Sequence, residues 1–82
     1  MRIQIAGAGC PACHNLEKDV RAWLAQQQVE AQVERVDDLV EIMQLGLLAL
    51  PGLFIDGKLV LTGYPPQSRL DKVLREAYGM GV

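Results

Sequence analysis

Two short apolar runs, Gly52 to Ile55 and Lys58 to Thr62, meet at Asp56-Gly57, and this junction constrains the fold more than any other local feature. Asp-Gly tolerates the positive φ values of a two-residue turn, so the two runs are expected to be antiparallel neighbours in one sheet. A chain of 82 residues has room for one core, so residues 1–82 are read as a single domain built around that hairpin. Arg2 to Ala6 alternates polar and apolar residues and reads as a first strand, followed by a Gly7 to Gly9 turn whose backbone can approach another chain closely. A helix should begin at Cys10 or just after it. Pro11 suits the first helical position, Leu16, Val20, Trp23 and Leu24 recur on one face, and the end is expected near Gln27.

Val29, Ala31 and Val33 alternate with Glu30, Gln32 and Glu34, the period-two pattern of a second strand with one covered face. Asp37 and Asp38 then supply helix caps. Asp38 with Glu41 resembles a capping box, and Leu39, Ile42 and Met43 give a short second helix an apolar face that closes at Gly46. The loop from Leu47 to Pro51 follows, with Leu47, Leu48 and Leu50 expected mostly in the core. After the hairpin, Gly63 to Pro66 lead into a last helix with Leu70, Val73, Leu74, Ala77 and Tyr78 on one side and a stop at Gly79. The order βαβαββα makes this an α/β chain. Its first two strands should be parallel through a right-handed crossover, with the hairpin extending the same sheet and helices covering its faces.

Composition excludes several classes of function. Half of the residues are apolar and the net charge is -2 with no basic stripe, so a nucleic-acid partner is not expected. The longest uncharged stretch, Ile42 to Ile55, is too short to span a bilayer and is broken by Gly46, Pro51 and Gly52, so no membrane partner is expected either. The amino-terminal residues alternate in strand fashion and show no export signal, which points to the cytoplasm.

Cys10 and Cys13 are the only cysteines, and they sit in Gly9-Cys10-Pro11-Ala12-Cys13-His14 where the first strand gives way to the first helix. Two thiols this close cannot staple a fold, so in a reducing compartment they point to dithiol redox chemistry or to metal binding. The competing class is a soft-metal or metalloid carrier, in which two thiolates hold Cu(I) or a similar ion. Tetrahedral zinc would want four ligands, and the chain offers Cys10, Cys13 and His14. A carrier of the βαββαβ type would end in a strand, whereas Gln67 to Tyr78 is helical in period. Cys10-Pro11-Ala12-Cys13-His14 also matches the covalent haem attachment motif, with Met43 or Met80 as formal second ligands, but the chain lacks the helix-dominated pattern of a small cytochrome. His14 is otherwise a helix-surface residue that tunes the thiolate or meets a partner. A third possibility is a redox-sensing adaptor whose disulfide state changes partner binding without turnover.

The Cys-Pro-Ala-Cys at a helix start, Leu50-Pro51 just before a two-strand hairpin, Asp56-Gly57 and a closing helix together resemble the thioredoxin-like fold. More closely, the whole chain resembles the small, glutaredoxin-sized thioredoxins known as redox-active disulfide proteins. The resemblance implies a four-stranded mixed sheet flanked by helices, a cis Pro51 across from the cysteines, and no bound organic cofactor. It also implies protein disulfides as substrates and a flavoprotein of the thioredoxin reductase type as electron donor. Pro11, Ala12, Leu50 and Pro51 would face the substrate, with the Leu50 backbone pairing with an extended segment as in strand addition. Tyr64 either lines the same rim or packs on the final helix. Two departures bear on specificity. Gly9 stands where classical thioredoxins have tryptophan, and Ala49-Leu50-Pro51 with Thr62-Gly63-Tyr64 replace the residues with which glutaredoxins hold glutathione. At a helix start, Cys10 would face unpaired backbone donors and the positive end of the helix dipole, which favours thiolate. Cys10 is therefore expected to attack and the less exposed Cys13 to resolve.

Overall fold

Arg2–Ala6 forms the strand (β1) to which the other elements are referred, with Ile3, Ile5 and Ala6 fully buried. The computed structural model describes residues 2–7, 10–47 and 49–79. Ala8 and Gly9 of the expected turn, Leu48 of the expected apolar cluster, and Met80 lie outside these residues. Chain order is β1, then the helix Pro11–Gln27 (α1), the strand Gln32–Val36 (β2), the helix Leu39–Gln44 (α2), the hairpin strands Gly52–Ile55 (β3) and Lys58–Thr62 (β4), and the helix Gln67–Tyr78 (α3). The strands make one mixed sheet in the order β2-β1-β3-β4. β1 pairs parallel with β2 and antiparallel with β3, and β3 pairs antiparallel with β4.

Strand alternation sorts the core into two layers. On one face Ile3, Ile5, Leu53, Ile55 and Leu61 meet Leu16, Val20, Trp23 and Leu24 of α1 and Leu70 and Leu74 of α3. On the other face, among the described residues, Ala6 and Phe54 meet Ile42 of α2, with Val36 and Leu47 partly buried beside them. One face thus carries two long helices and the other a single helix of six residues.

Local signals set most boundaries. The hairpin turns at Asp56 (φ 51°) and Gly57 (φ 84°), and the last helix closes at Gly79 in the left-handed region. Helix α1 ends at Gln27 with Gln28 in the left-handed cap position, its N–H reaching the carbonyls of Leu24 and Ala25. The second strand is displaced from the expected Val29 to Glu34. Val29 is buried in the core but donates its N–H to the Leu24 carbonyl at 2.9 Å, so it still belongs to the helix end. Among the described residues the ladder begins at Gln32, opposite Arg2.

Four further expectations are corrected. Asp38 caps α2, but its carboxylate accepts from Val40 N at 2.8 Å in place of the Glu41 N–H of a capping box. Of the expected apolar face of α2 only Ile42 is buried, while Leu39 and Met43 are 64% and 78% exposed. In the loop that follows, Leu50 is 40% exposed instead of packed in the core. On α3, Leu70 and Leu74 are buried and Val73 half-buried, whereas Ala77 and Tyr78 lie exposed in the last turn of the helix.

Trp23 ties α1 to α3: its buried indole donates Nε1–H to Asp71 Oδ1 at 2.8 Å, and Arg75 Nε donates to Asp71 Oδ2 at 2.9 Å. The indole hydrogen bond, followed by that from Arg75, holds the Asp71 carboxyl below its ordinary value. A lowered carboxyl contributes stability above its unfolded pKa that is lost as pH falls through the folded value. Trp23→Phe is expected to cost about 1–3 kcal/mol in urea unfolding, through a lost hydrogen bond and a small cavity. Asp71→Asn, which keeps an oxygen acceptor for the indole, should flatten the loss of stability as pH falls through and below the ordinary aspartate range. An unaltered acid limb in Asp71→Asn would show that this carboxyl carries none of it.

Candidate functional site

At one end of the sheet, β1 and β2 finish at Ala6 and Val36, β3 begins at Gly52, and β4 finishes at Thr62, so four connecting segments converge. The first carries the cysteines. Cys10 is the N-cap of α1 in extended backbone (φ -102°, ψ 141°), and Pro11 occupies the first helical position, where its missing N–H costs nothing. The Cys10 carbonyl accepts from His14 N at 3.2 Å, and the Cys10 Sγ accepts from the Cys13 N–H at 3.0 Å. A sulfur thus takes the place that a serine or aspartate oxygen usually fills at a helix N-terminus. Cys10 and Cys13 form a disulfide with S–S 2.04 Å and Cα–Cα 5.3 Å. Cys10 is partly exposed and Cys13 fully buried.

Two neighbours enclose Cys13. A Cβ placed on Gly7 would lie 2.1 Å from Cys13 Sγ and 2.9 Å from its Cβ, so the backbone leaving β1 touches the buried sulfur directly. The same point lies 3.9 Å from the Pro51 Cα, which brings Gly7, Cys13 and Pro51 together. The Leu50–Pro51 peptide bond is cis, Pro51 is fully buried, and its carbonyl accepts from Gly63 N at 2.7 Å. Leu50 stands exposed immediately before it. On the other side, the Gly7 N–H donates to the Val36 carbonyl at 2.9 Å and ties the segment to the end of β2.

Of the remaining residues expected to face a substrate, Pro11 is exposed and Ala12 half-buried on the first turn of α1. Tyr64 is half exposed, and its hydroxyl donates to the Asp19 carboxylate, so its polar end is committed to α1 and not to the final helix. That hydrogen bond raises the phenol above its ordinary range. His14 is exposed on the surface of α1, beside a shallow depression shared with Glu17, Lys18 and Arg21. Gly7, Asp19 and Gly63 are the residues that reading the sequence missed. Gly7 was visible as a close-approach glycine, but the chain it approaches is its own Cys13. A cleft of about 790 Å³ between Arg2, Gln32 and Asp56 lies at the far end of the sheet and holds no thiol. Among the described residues no group of three or more His, Cys, Asp or Glu side chains could hold a metal ion, and no helix is long and apolar enough to cross a membrane.

Residues 1–75 match the thioredoxin domain family. The chain belongs to the thioredoxin family. It is 41% identical over 63 residues to a thioredoxin of Methanothermobacter thermautotrophicus, covering 77% of this chain and 82% of that relative. A thioredoxin of Methanocaldococcus jannaschii is 30% identical over 64 residues, covering 78% of this chain and 73% of that relative. The fold superposes on a mutant thioredoxin from Halobacterium salinarum with a TM-score of 0.66 at 23% identity, covering 93% of this chain and 73% of that one. The α/β fold expected from the resemblance is the one observed, and the closing element is a helix, unlike the terminal strand of the metal-carrier topology. Family and dithiol together make this thioredoxin-family chain a thiol-disulfide oxidoreductase.

Gly7→Ala should be tolerated poorly, because the new methyl can fit only if Cys13 or the Pro51 loop moves. The expected cost is about 1–3 kcal/mol of unfolding free energy for the oxidised protein, read by urea titration. Gly57→Ala, which meets no atom within 4 Å but sits at positive φ, is the control for backbone strain alone. A Gly7→Ala protein as stable as the wild type, with an unchanged disulfide potential, would show that the contact is not a constraint.

Proposed function

We propose that Cys10 is the attacking thiol of a protein-disulfide oxidoreductase, that Cys13 resolves, and that Leu50-Pro51 shapes the groove in which a substrate segment lies. The observation that carries this reading is the hydrogen bond from Cys13 N–H to Cys10 Sγ at the amino end of a 17-residue helix. In the reduced protein the same donor meets a thiolate, and a charge-assisted hydrogen bond together with the helix dipole favours that ionised form. Cys10 thiolate attacks one sulfur of the partner's disulfide. The partner's S–S bond breaks, a Cys10–partner disulfide forms, and the displaced partner thiolate takes a proton from solvent. Cys13 then loses its proton and attacks Cys10 Sγ. The mixed disulfide breaks, the Cys10–Cys13 bond forms, and the second partner sulfur leaves as a thiolate that is protonated in turn. Two electrons pass from the dithiol to the partner.

Among the described residues no charged or polar side chain is buried, so no enclosed carboxylate stands ready to take the Cys13 proton. That proton passes to water or to the departing partner sulfur. Pro11 and Ala12 border the attacking sulfur, and Tyr64 borders the Gly63 side of the groove while tied to Asp19. A flavoprotein of the thioredoxin reductase type would return the electrons in the cytoplasm, where such dithiols are kept reduced.

Redox titration in glutathione and dithiothreitol buffers, read by mass after thiol alkylation, should give one reversible two-electron transition. Cys10→Ser should abolish reduction of insulin, whereas Cys13→Ser should accumulate a mixed disulfide between Cys10 and the substrate. Accumulation in Cys10→Ser instead would reverse the two roles. Failure to form any disulfide, with tight Cu(I) retention, would sink the oxidoreductase assignment.

A further inference from the structure

Helix α2 presents three large apolar side chains to solvent: Leu39 is 64%, Val40 62% and Met43 78% exposed. Residues three and four apart are neighbours on a helix, so Leu39, Val40 and Met43 form one ridge, while Ile42 alone turns inward. Both ends of α2 lead back to the disulfide. Its amino end follows Val36, whose carbonyl holds Gly7 against Cys13, and its carboxyl end returns through Leu47 to Leu50 and Pro51. The charge of this part of the chain is one-sided: between Arg35 and Lys58 there is no basic residue but four acidic ones, Asp37, Asp38, Glu41 and Asp56. Asp37, Asp38 and Glu41 lie exposed at and beside the start of the ridge.

We propose that the ridge of Leu39, Val40 and Met43, continued by Leu50, docks the protein whose disulfide is exchanged, and that the docked surface is apolar and basic. This rests on the reading that Cys10 and Cys13 exchange with protein disulfides. The acidic border decides the occupant. A second copy laid face to face would bring together two surfaces that each carry Asp37, Asp38 and Glu41 and draw no base from between Arg35 and Lys58, and an anionic lipid surface would be repelled in the same way. Basic groups beside the partner's cysteines would be steered in instead. The footprint of one six-residue helix is far below the roughly 800 Å² per partner of a stable complex, so the contact is transient. Transience suits a reaction in which the mixed disulfide holds the partner after capture. Met43 at the centre supplies a flexible, polarisable contact that adapts to more than one partner shape.

The test uses the Leu39→Ser/Met43→Ser double variant, with an unchanged urea midpoint as the check on folding, and three probes. These are hydroxyethyl disulfide and two cystine peptides of equal length, both with leucines beside the cysteines and differing only in three lysines or three glutamates. Wild-type protein reduced with dithiothreitol should act on the lysine peptide about tenfold faster than on the glutamate peptide at low salt, a ratio that collapses at high salt. The double variant should lose most of its rate on the lysine peptide and less than about twofold on hydroxyethyl disulfide, as removal of a contact remote from the reacting sulfur requires. Equal peptide rates in the wild type, or a double variant that slows all three probes alike, would overturn the docking surface. A wild-type dimer in sedimentation that the double variant dissolves would overturn it in favour of self-association. A wild type inactive on hydroxyethyl disulfide itself would refute the oxidoreductase reading and the docking proposal with it.

Discussion

Where β1 ends, its backbone must run within contact of a buried sulfur, and only a glycine leaves room for it. Gly7 therefore sets the depth at which Cys13 sits, and through the helix it sets the place of Cys10. The same residue reaches Pro51 on one side and the Val36 carbonyl on the other. Position and reactivity are linked by this contact. Cys13 fixed under Gly7 presents its N–H outward along the first turn, and that N–H is the donor that Cys10 Sγ receives. A sheet end shaped this way delivers one sulfur to solvent and withholds the other.

The two faces of the sheet divide stability from recognition. Among the described residues, twelve buried ones fill the layer under α1 and α3, whereas three fill the layer under α2. At about 25 cal/mol per Å² of apolar surface buried, the thick layer dominates the folding energy. Helix α2 is held by Ile42, by its Asp38 cap, and by chain connections at both ends. Little of its own apolar surface is needed for folding, and Leu39, Val40 and Met43 carry that surplus to solvent. The exposed salt bridges, such as Arg2 to Glu34 and Arg21 to Glu17, add little to either side of this division.

What could be read in the sequence was local. Asp56-Gly57 encodes its turn in two residues, Pro11 marks the first helical position, and Gly79 ends the last helix, so these boundaries fell where expected. The start of β2 was not local. Val29 and Ala31 carry a strand's alternation, yet Val29 stays tied to the helix end through the Leu24 carbonyl, and the described pairing starts at Gln32. The exposure of α2 was invisible for a different reason. Leu39, Ile42 and Met43 at helical spacing declare an apolar face, but periodicity cannot say whether anything covers it. The tie of Tyr64 to Asp19, across 45 positions, and that of Trp23 to Asp71, across 48, are products of tertiary structure with no local signal. The cysteine pair was legible as chemistry, and its enclosure by Gly7 was legible only in part.

Because Cys13 is fully buried and Cys10 is not, the accessible sulfur is the same in both directions of exchange. On the proposed roles, Cys10 attacks when the dithiol reduces a target. When a donor reduces the disulfide, the donor's thiolate must attack Cys10 Sγ and expel Cys13, since thiol exchange requires an approach to the sulfur that only Cys10 permits. On the same roles, the hydrogen bond at Cys10 would serve the first step by stabilising its thiolate, and Cys13 would leave in the second into a site with no buried carboxylate to oppose its charge among the described residues. Donor and target therefore use one entrance and must alternate there. On the proposed roles, a weak, adaptable surface at that entrance is a requirement of turnover, because a partner bound tightly to α2 would block the other half of the cycle.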